Sequence, residues 1–169
     1  LAVNYSLADW DKVIGVNLRG NFILTQALLP LMMKGKWGRV IHISSRGATD
    51  GDVGAMAYSA SKSGLTGMSK VLGKEYARFN ITSNILILGA FETGLFLELP
   101  DGLKRKIRKE IPSKKMGNLS NIENAIEFLI KSANHVITSS PFLNEDCLKL
   151  NQHKSCTFIS DAMDIRRYC

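Results

Sequence analysis

Tyr58 and Lys62 stand four residues apart in the run Tyr-Ser-Ala-Ser-Lys. On a helix that spacing puts them on one face. An ammonium beside a phenol favours the phenolate, so a tyrosine placed this way can give or take a proton near neutral pH. Ser45 stands thirteen residues before Tyr58, at the carboxyl end of a short apolar run. A serine hydroxyl within reach of the same substrate oxygen can polarise a carbonyl. Asn17 lies twenty-eight residues before Ser45. A Tyr-x-x-x-Lys pair alone fits an ordinary amphipathic helix surface as well as it fits a site. All four residues in this order make a far more restrictive pattern, and the chemistry they suit is proton transfer at a carbonyl or alcohol oxygen.

These side chains need elements to hold them. Ser6 to Asp9 has the spacing of a capping box, and apolar residues then recur at helical period, which predicts a long helix over about 7 to 34. Pro30 would kink it, and Gly35 and Gly38 would end it. Arg39 to Ser44 is short and β-branched and reads as a buried strand ending beside Ser45. Ser45 to Ala55 reads as a loop, and Met56 to Phe79 as a second long helix in which Gly64, Gly67 and Gly73 permit close packing. Ile81 to Leu88 reads as a second buried strand. Ser120 with Glu123 has capping-box spacing for a helix to about Lys131, and Leu148 to Asn151 could form a last strand. Short, continuously apolar strands separated by long helices predict an α/β fold: three layers around a doubly wound parallel sheet. In such sheets ligands bind beyond the carboxyl ends of the strands, here the loops starting at Ser45 and at Gly89.

Composition narrows the function classes. The 169 residues are 45% hydrophobic and 22% charged, which excludes a disordered or collagen-like chain. No apolar run has the roughly 18 residues needed to span a bilayer, so no membrane role is expected. The three cysteines, Cys147, Cys156 and Cys169, form no CxxC, and with His153 they fit no standard zinc spacing, so no metal is expected. Few cysteines and no disulfide framework suit a reducing, cytoplasmic setting. Of the net charge of +7, the segment Lys104 to Lys115 carries +6, from seven basic residues and one acidic one. A near-neutral body with one basic segment argues against nucleic acid as partner and for local contact with something anionic, against the plainer alternative of a solvated lid helix. His42 reads as a satisfied core histidine and Trp37 as a packing residue at a turn.

The order Asn17, Ser45, Tyr58, Lys62 and its surroundings resemble the short-chain dehydrogenase/reductase family, and the basic segment Lys104 to Lys115 alone suggests a resemblance, within it, to the 3-oxoacyl-carrier-protein reductases. The matching runs are VNLRG around Asn17, RVIHISS ending at Ser45, AYSASKSGL around Tyr58 and Lys62, and ITSN entering the second strand. The resemblance implies a Rossmann-like fold and reversible hydride transfer between NADP or NAD and a ketone or secondary alcohol. By that resemblance Tyr58 is the acid/base and Ser45 holds the substrate oxygen. Lys62 contacts the nicotinamide ribose and lowers the Tyr58 pKa, and Asn17 holds a water of a proton relay. The family's PGxxxT segment maps onto Leu88 to Thr93, where Gly89 and Thr93 match as contacts to the nicotinamide carboxamide and Leu88 replaces the proline. It also implies a small carbonyl or alcohol substrate and a homo-oligomer paired through the long helices; the basic segment Lys104 to Lys115 would meet an anionic carrier of that substrate.

Two departures accompany the match. The chain opens on Leu1 and has no glycine-rich dinucleotide fingerprint, which in the family precedes the position of Asn4. After Val136-Ile137-Thr138 the similarity stops. The expected organisation is therefore residues 1–138 as the C-terminal part of a short-chain dehydrogenase domain and 139–169 as an atypical tail. The alternative function is a truncated, non-catalytic fragment or isoform unable to bind the dinucleotide on its own.

Overall fold

The structure, a computed structural model, describes residues 1–131, 136–138 and 157–158. Helix α1 (Leu7–Ile14) passes through a π-helical segment (Gly15–Arg19) into α2 (Gly20–Lys34). Strand β1 (Gly38–Ser45), helix α3 (Met56–Tyr76) and strand β2 (Ile81–Leu88) follow. Two shorter helices, α4 (Leu95–Glu98) and α5 (Asp101–Glu110), precede α6 (Leu119–Ile130). Among the described residues, strands β3 (Val136–Thr138) and β4 (Thr157–Phe158) join them in a four-stranded sheet. All pairings are parallel and the order is β2-β1-β3-β4. The chain therefore winds outward from β1 to β2, then returns past β1 to add β3 on its other side.

Local chemistry accounts for the boundaries. Ser6 caps α1, its hydroxyl accepting from the Asp9 amide at 3.0 Å. The predicted long helix runs unbroken from 7 to 34, and Pro30 lies inside α2 without ending it. The irregularity comes earlier, at the π segment, where the Gly20 amide donates to the Gly15 carbonyl. After the Gly35 cap, Lys36 takes the left-handed turn at φ 47° and Gly38 already belongs to β1. Gly38 lies so close to α2 that an added Cβ would stand 2.6 Å from the Met32 sulfur. Helix α6 starts earlier than its capping-box reading. Asn118, not Ser120, is the cap, and its side-chain oxygen accepts from the Ser120 amide at 3.1 Å. Asn at the cap satisfies the same orphan amides two positions sooner. The candidate strand at 148–151 lies outside the described residues, as do Cys147, His153, Cys156 and Cys169.

Both faces of β1 are covered, so its residues divide between two cores. Val40 packs with Leu29 and Met32 of α2, Leu72 of α3 and Ile81. Ile41 and Ile43 point to the other side and pack with Ile122 and Ile126 of α6. Burying each such side chain contributes about 1.5–3 kcal/mol. This is the predicted three-layer arrangement, with α2 and α3 on one face and α6 on the other. The α2–α3 side of β1 is unusually polar: His42 and Ser44 follow Val40 there, opposite Asn21 and Thr25, and all four are buried. His42 departs from the satisfied core histidine expected, because neither ring nitrogen has a hydrogen-bond partner among the described residues. Burial without a partner penalises the charged ring and lowers its pKa to about 4.

Candidate active site

The carboxyl ends of β1 and β2 meet at Ser45 and Leu88, which pair in register. An open cleft of about 560 Å³ lies beyond them. Its floor includes Ser45, Gly47, Leu88, Gly89 and Ala90. The loop residues Arg46, Gly51, Asp52 and Val53 and Leu103, Lys106, Ile107 and Glu110 of α5 also line it.

Ser45 ends β1 with extended backbone, and its hydroxyl accepts from the Gly47 amide at 3.2 Å, which turns the chain into the loop. Gly47 lies close to two side chains at this turn. An added Cβ would stand 2.7 Å from Oδ2 of Asp52 and 3.6 Å from the ring edge of Tyr58. The Tyr58 ring thus lies next to Gly47, which lines the cleft. Lys62, one turn further along α3, is buried, with its ammonium 5.9 Å from the centre of the Tyr58 ring. Its Nζ donates to the Ile43 carbonyl at 3.2 Å, and its own carbonyl accepts from the Ser44 hydroxyl at 3.0 Å. These two bonds tie the start of α3 to the end of β1, which holds Ser45, Tyr58 and Lys62 in one neighbourhood.

Asn17 reaches the same neighbourhood from α2's side. It lies in the π segment, where one extra residue per turn rotates the helix face, and it is 2% exposed. Its side-chain amide donates to Ser61 Oγ at 3.2 Å, and Ser61 donates to the Tyr58 carbonyl at 2.7 Å. Asn21 donates to the Asn17 carbonyl at 2.7 Å. Asn17 is thus linked to the Tyr58 backbone through Ser61.

Of the predicted residues, Ser45 and Gly89 line the cleft; Tyr58, Asn17 and Lys62 are not among its lining residues, and Asn17 and Lys62 are buried. Thr93 is not among the lining residues; its carbonyl accepts from the Phe96 amide at 3.1 Å, just before α4. Ser61 escaped the sequence reading, although its place between Tyr58 and Lys62 on one helix was a usable signal. Arg46, Asp52 and the α5 residues also escaped it as cleft residues, because nothing local marks two distant segments as lining one cleft. Arg46 bonds to Asp50 at 2.7 Å and lies 3.8 Å from Asp52. The hydrogen bond to Asp50 raises the guanidinium's pKa further, and Arg46 in turn holds the Asp50 carboxyl below its usual range. Among the described residues no group of histidines, cysteines and carboxylates could hold a metal ion.

The sheet is parallel, with Ser45 at the end of β1 and Lys62 tied to that strand, and comparison with known proteins gives the family. The short chain dehydrogenase family profile matches residues 2–104, and the chain belongs to that family. It is 38% identical over 138 residues to the 3-oxoacyl-(acyl-carrier-protein) reductase FabG of Aquifex aeolicus, covering 82% of this chain and 56% of that protein. It is 33% identical over 144 residues to an acetoacetyl-CoA reductase of Synechocystis sp., covering 85% of this chain and 58% of that protein. A crystal structure described as a candidate NAD(P)-dependent gluconate 5-dehydrogenase of Beutenbergia cavernae, with NADP bound at low occupancy, superposes with a TM-score of 0.71 at 25% identity. That match covers 81% of this chain and 58% of the other. The chain thus spans a little over half the length of the curated relatives it matches.

Proposed function

We propose that this chain carries the substrate-side machinery of an NAD(P)-dependent oxidoreductase that interconverts a ketone and a secondary alcohol. The observation that carries the reading is the convergence of Ser45, Tyr58 and Lys62 at the carboxyl ends of β1 and β2, beside an open cleft. The nicotinamide end of the cofactor fits the residues present. Nothing lies within 4 Å of where a Gly89 Cβ would be, which leaves room for a flat ring against that backbone. Lys62 and Tyr58 would meet the ribose side, and Gly89 and Thr93 the carboxamide. No glycine-rich fingerprint for the pyrophosphate occurs in the 169 residues. When bound, the nicotinamide supplies or takes up the hydride.

The chain's own residues do the rest. The Tyr58 hydroxyl gives its proton to the substrate oxygen in reduction and takes it back in oxidation. The Ser45 hydroxyl donates to that same oxygen and stabilises charge developing on it. The Lys62 ammonium favours the Tyr58 phenolate. Asn17 supports the Tyr58 turn through Ser61 and holds a water that returns protons to this end of α3. The relatives' names favour a carbonyl substrate carried as a thioester. Arg105 and Lys109, on the basic segment but outside the cleft lining, suit an anionic carrier. Exposed Phe22, Ile23 and Leu31 on α2 and Val71 on α3 favour a homo-oligomer paired through these helices. The absence of a long apolar helix among the described residues and the low cysteine content suit a cytoplasmic site of action.

Tyr58→Phe tests the reading. NADPH-dependent reduction of a generic diketone should fall by at least about 10³-fold, while NADPH affinity changes less than about twofold. Retained turnover would remove Tyr58 from the mechanism. A second reading, a fragment that keeps the chemical residues without holding the dinucleotide alone, is favoured by the missing fingerprint and the partial span of relatives. Saturable binding of NADPH or NADH by these 169 residues, followed by calorimetry, would eliminate it.

A further inference from the structure

The Thr25 hydroxyl and both ring nitrogens of His42 are buried polar atoms that the site described above does not use. None of the three has a hydrogen-bond partner among the described residues, and Thr25 and His42 are 2% and 1% exposed. Their buried polar neighbours are bonded: Asn21 to the Asn17 carbonyl, Ser44 to the Lys62 carbonyl and Ser61 to the Tyr58 carbonyl.

The fold brings these exceptions to one level. Helices α2 and α3 both run opposite to β1, and contacts at two levels set how they lie on it. Val40 packs with Leu29 and Met32 of α2 and with Leu72 of α3. Four residues on, Ser44 bonds to the Lys62 carbonyl, and the neighbouring Ser61 accepts from Asn17. His42 stands midway, on the same face of β1 as Val40 and Ser44. On the buried face of α2, Thr25 lies one turn before Leu29 and about two turns after Asn17, which sets it beside His42. Leu65 of α3, 0% exposed, closes the same level from the other helix.

A buried donor or acceptor with nothing to bond bears the whole loss of its hydration, which is why nearly all are paired. The Thr25 hydroxyl can both give and accept a hydrogen bond, and a neutral imidazole gives one and accepts one. Water matches that set, since it gives two and accepts two, and it completes such groups inside proteins. A larger solute is excluded, because burial this complete leaves it no opening. We infer that α2 and β1 enclose a hydration site at this level, in which internal water bonds the Thr25 hydroxyl to the His42 ring. The water joins the helix that follows Asn17 to the strand that ends at Ser45. It forms a further polar cross-link, inward of the Asn17–Ser61 and Ser44–Lys62 bonds. The inference is independent of the oxidoreductase reading.

A double-mutant cycle in the full chain tests it by urea unfolding at pH 7.5, where the ring is neutral. Thr25→Val keeps the side chain's shape and removes the hydroxyl. In the parent it should lower the folding equilibrium constant about fivefold, because the ring loses its bridge. With His42→Leu already present, the same change should raise the constant about threefold, because it then removes a hydroxyl that has nothing to bond. Stronger folding after Thr25→Val in both backgrounds would mark a dry site and overturn the inference. A high-resolution crystal structure of the parent should show water within hydrogen-bond distance of Thr25 Oγ1 and of a His42 ring nitrogen. Thr25 bonded directly to the ring, with no water between them, would overturn the inference even if the cycle reversed sign. Should a variant fail to fold, the density in the parent decides alone.

Discussion

His42 shows how one residue couples the core to pH. Its ring is 1% exposed, both nitrogens lack partners among the described residues, and burial lowers its pKa to about 4 against the usual 6.5. Between those values the unfolded chain binds a proton that the folded chain refuses, so stability rises with pH through this window. The neutral ring's contribution is complete above pH 6.5 and is lost as pH falls toward 4. The loss should amount to about 3 kcal/mol. Urea unfolding at pH 7.5 and 4.5 measures it. His42→Leu, which replaces two unpartnered nitrogens by apolar surface, should remove most of the difference without lowering stability at pH 7.5. A parent protein equally stable at both pH values would contradict the account. At the site itself, the tie of Lys62 to Ile43 and of Ser44 to the Lys62 carbonyl shows that a proposed catalytic residue also joins helix to strand.

At the scale of elements, caps and close approaches decide where the segments begin and what they can carry. Asn118→Ala removes the side-chain acceptor of the Ser120 amide and should cost about 1 kcal/mol. Ser120→Ala, at the position expected from the capping-box spacing, should cost less than about 0.5 kcal/mol. Thermal unfolding of the two variants distinguishes the caps, and a larger loss at Ser120 would restore the original reading. Gly117→Ala pushes a methyl into the Phe91 ring at the root of the α4–α5 excursion. Overpacking of this kind costs about 1–3 kcal/mol. Because only the root is strained, exchange in 92–116 should rise while that in β1 stays unchanged.

At the scale of the whole molecule, exposed apolar residues accumulate on the helices. Phe22, Ile23 and Leu31 on α2 and Val71 on α3 are each at least half exposed. If self-association buries them, sedimentation at micromolar concentration should show a dimer or larger species. Ile23→Asp with Leu31→Asp should shift the distribution to monomer without loss of helical circular dichroism. A parent that stays monomeric at 100 μM, a concentration far above the ~1 μM dissociation constant of a modest interface, would contradict the homo-oligomer reading.

The alternation of apolar runs by itself determined most of the architecture. Arg39 to Ser44 announces a buried strand and β1 is buried along most of its length, whereas Ile81 to Leu88, also expected buried, keeps its bounds but is an edge strand among the described residues, with only Ile81 buried, because no further strand described covers its outer side. The order and spacing of Asn17, Ser45, Tyr58 and Lys62 likewise pointed to one neighbourhood, since a strand end and the following helix are close in any β-α-β unit. Three things came only from the tertiary structure. The π segment turns Asn17 toward Ser61, a change of helical phase that depends on what packs against the segment and not on its residue types. His42 looked satisfiable because strand sequences say nothing of the helix side chains opposite, and here none among the described residues hydrogen-bonds to its ring. Much of the cleft lining comes from residues 46–53 and 103–110, which have no periodic relation. Only the return of the chain after β2 brings them to one cleft. Short-range preferences act through backbone and neighbouring side chains; the meeting of distant segments depends on the path of the chain through the whole sheet.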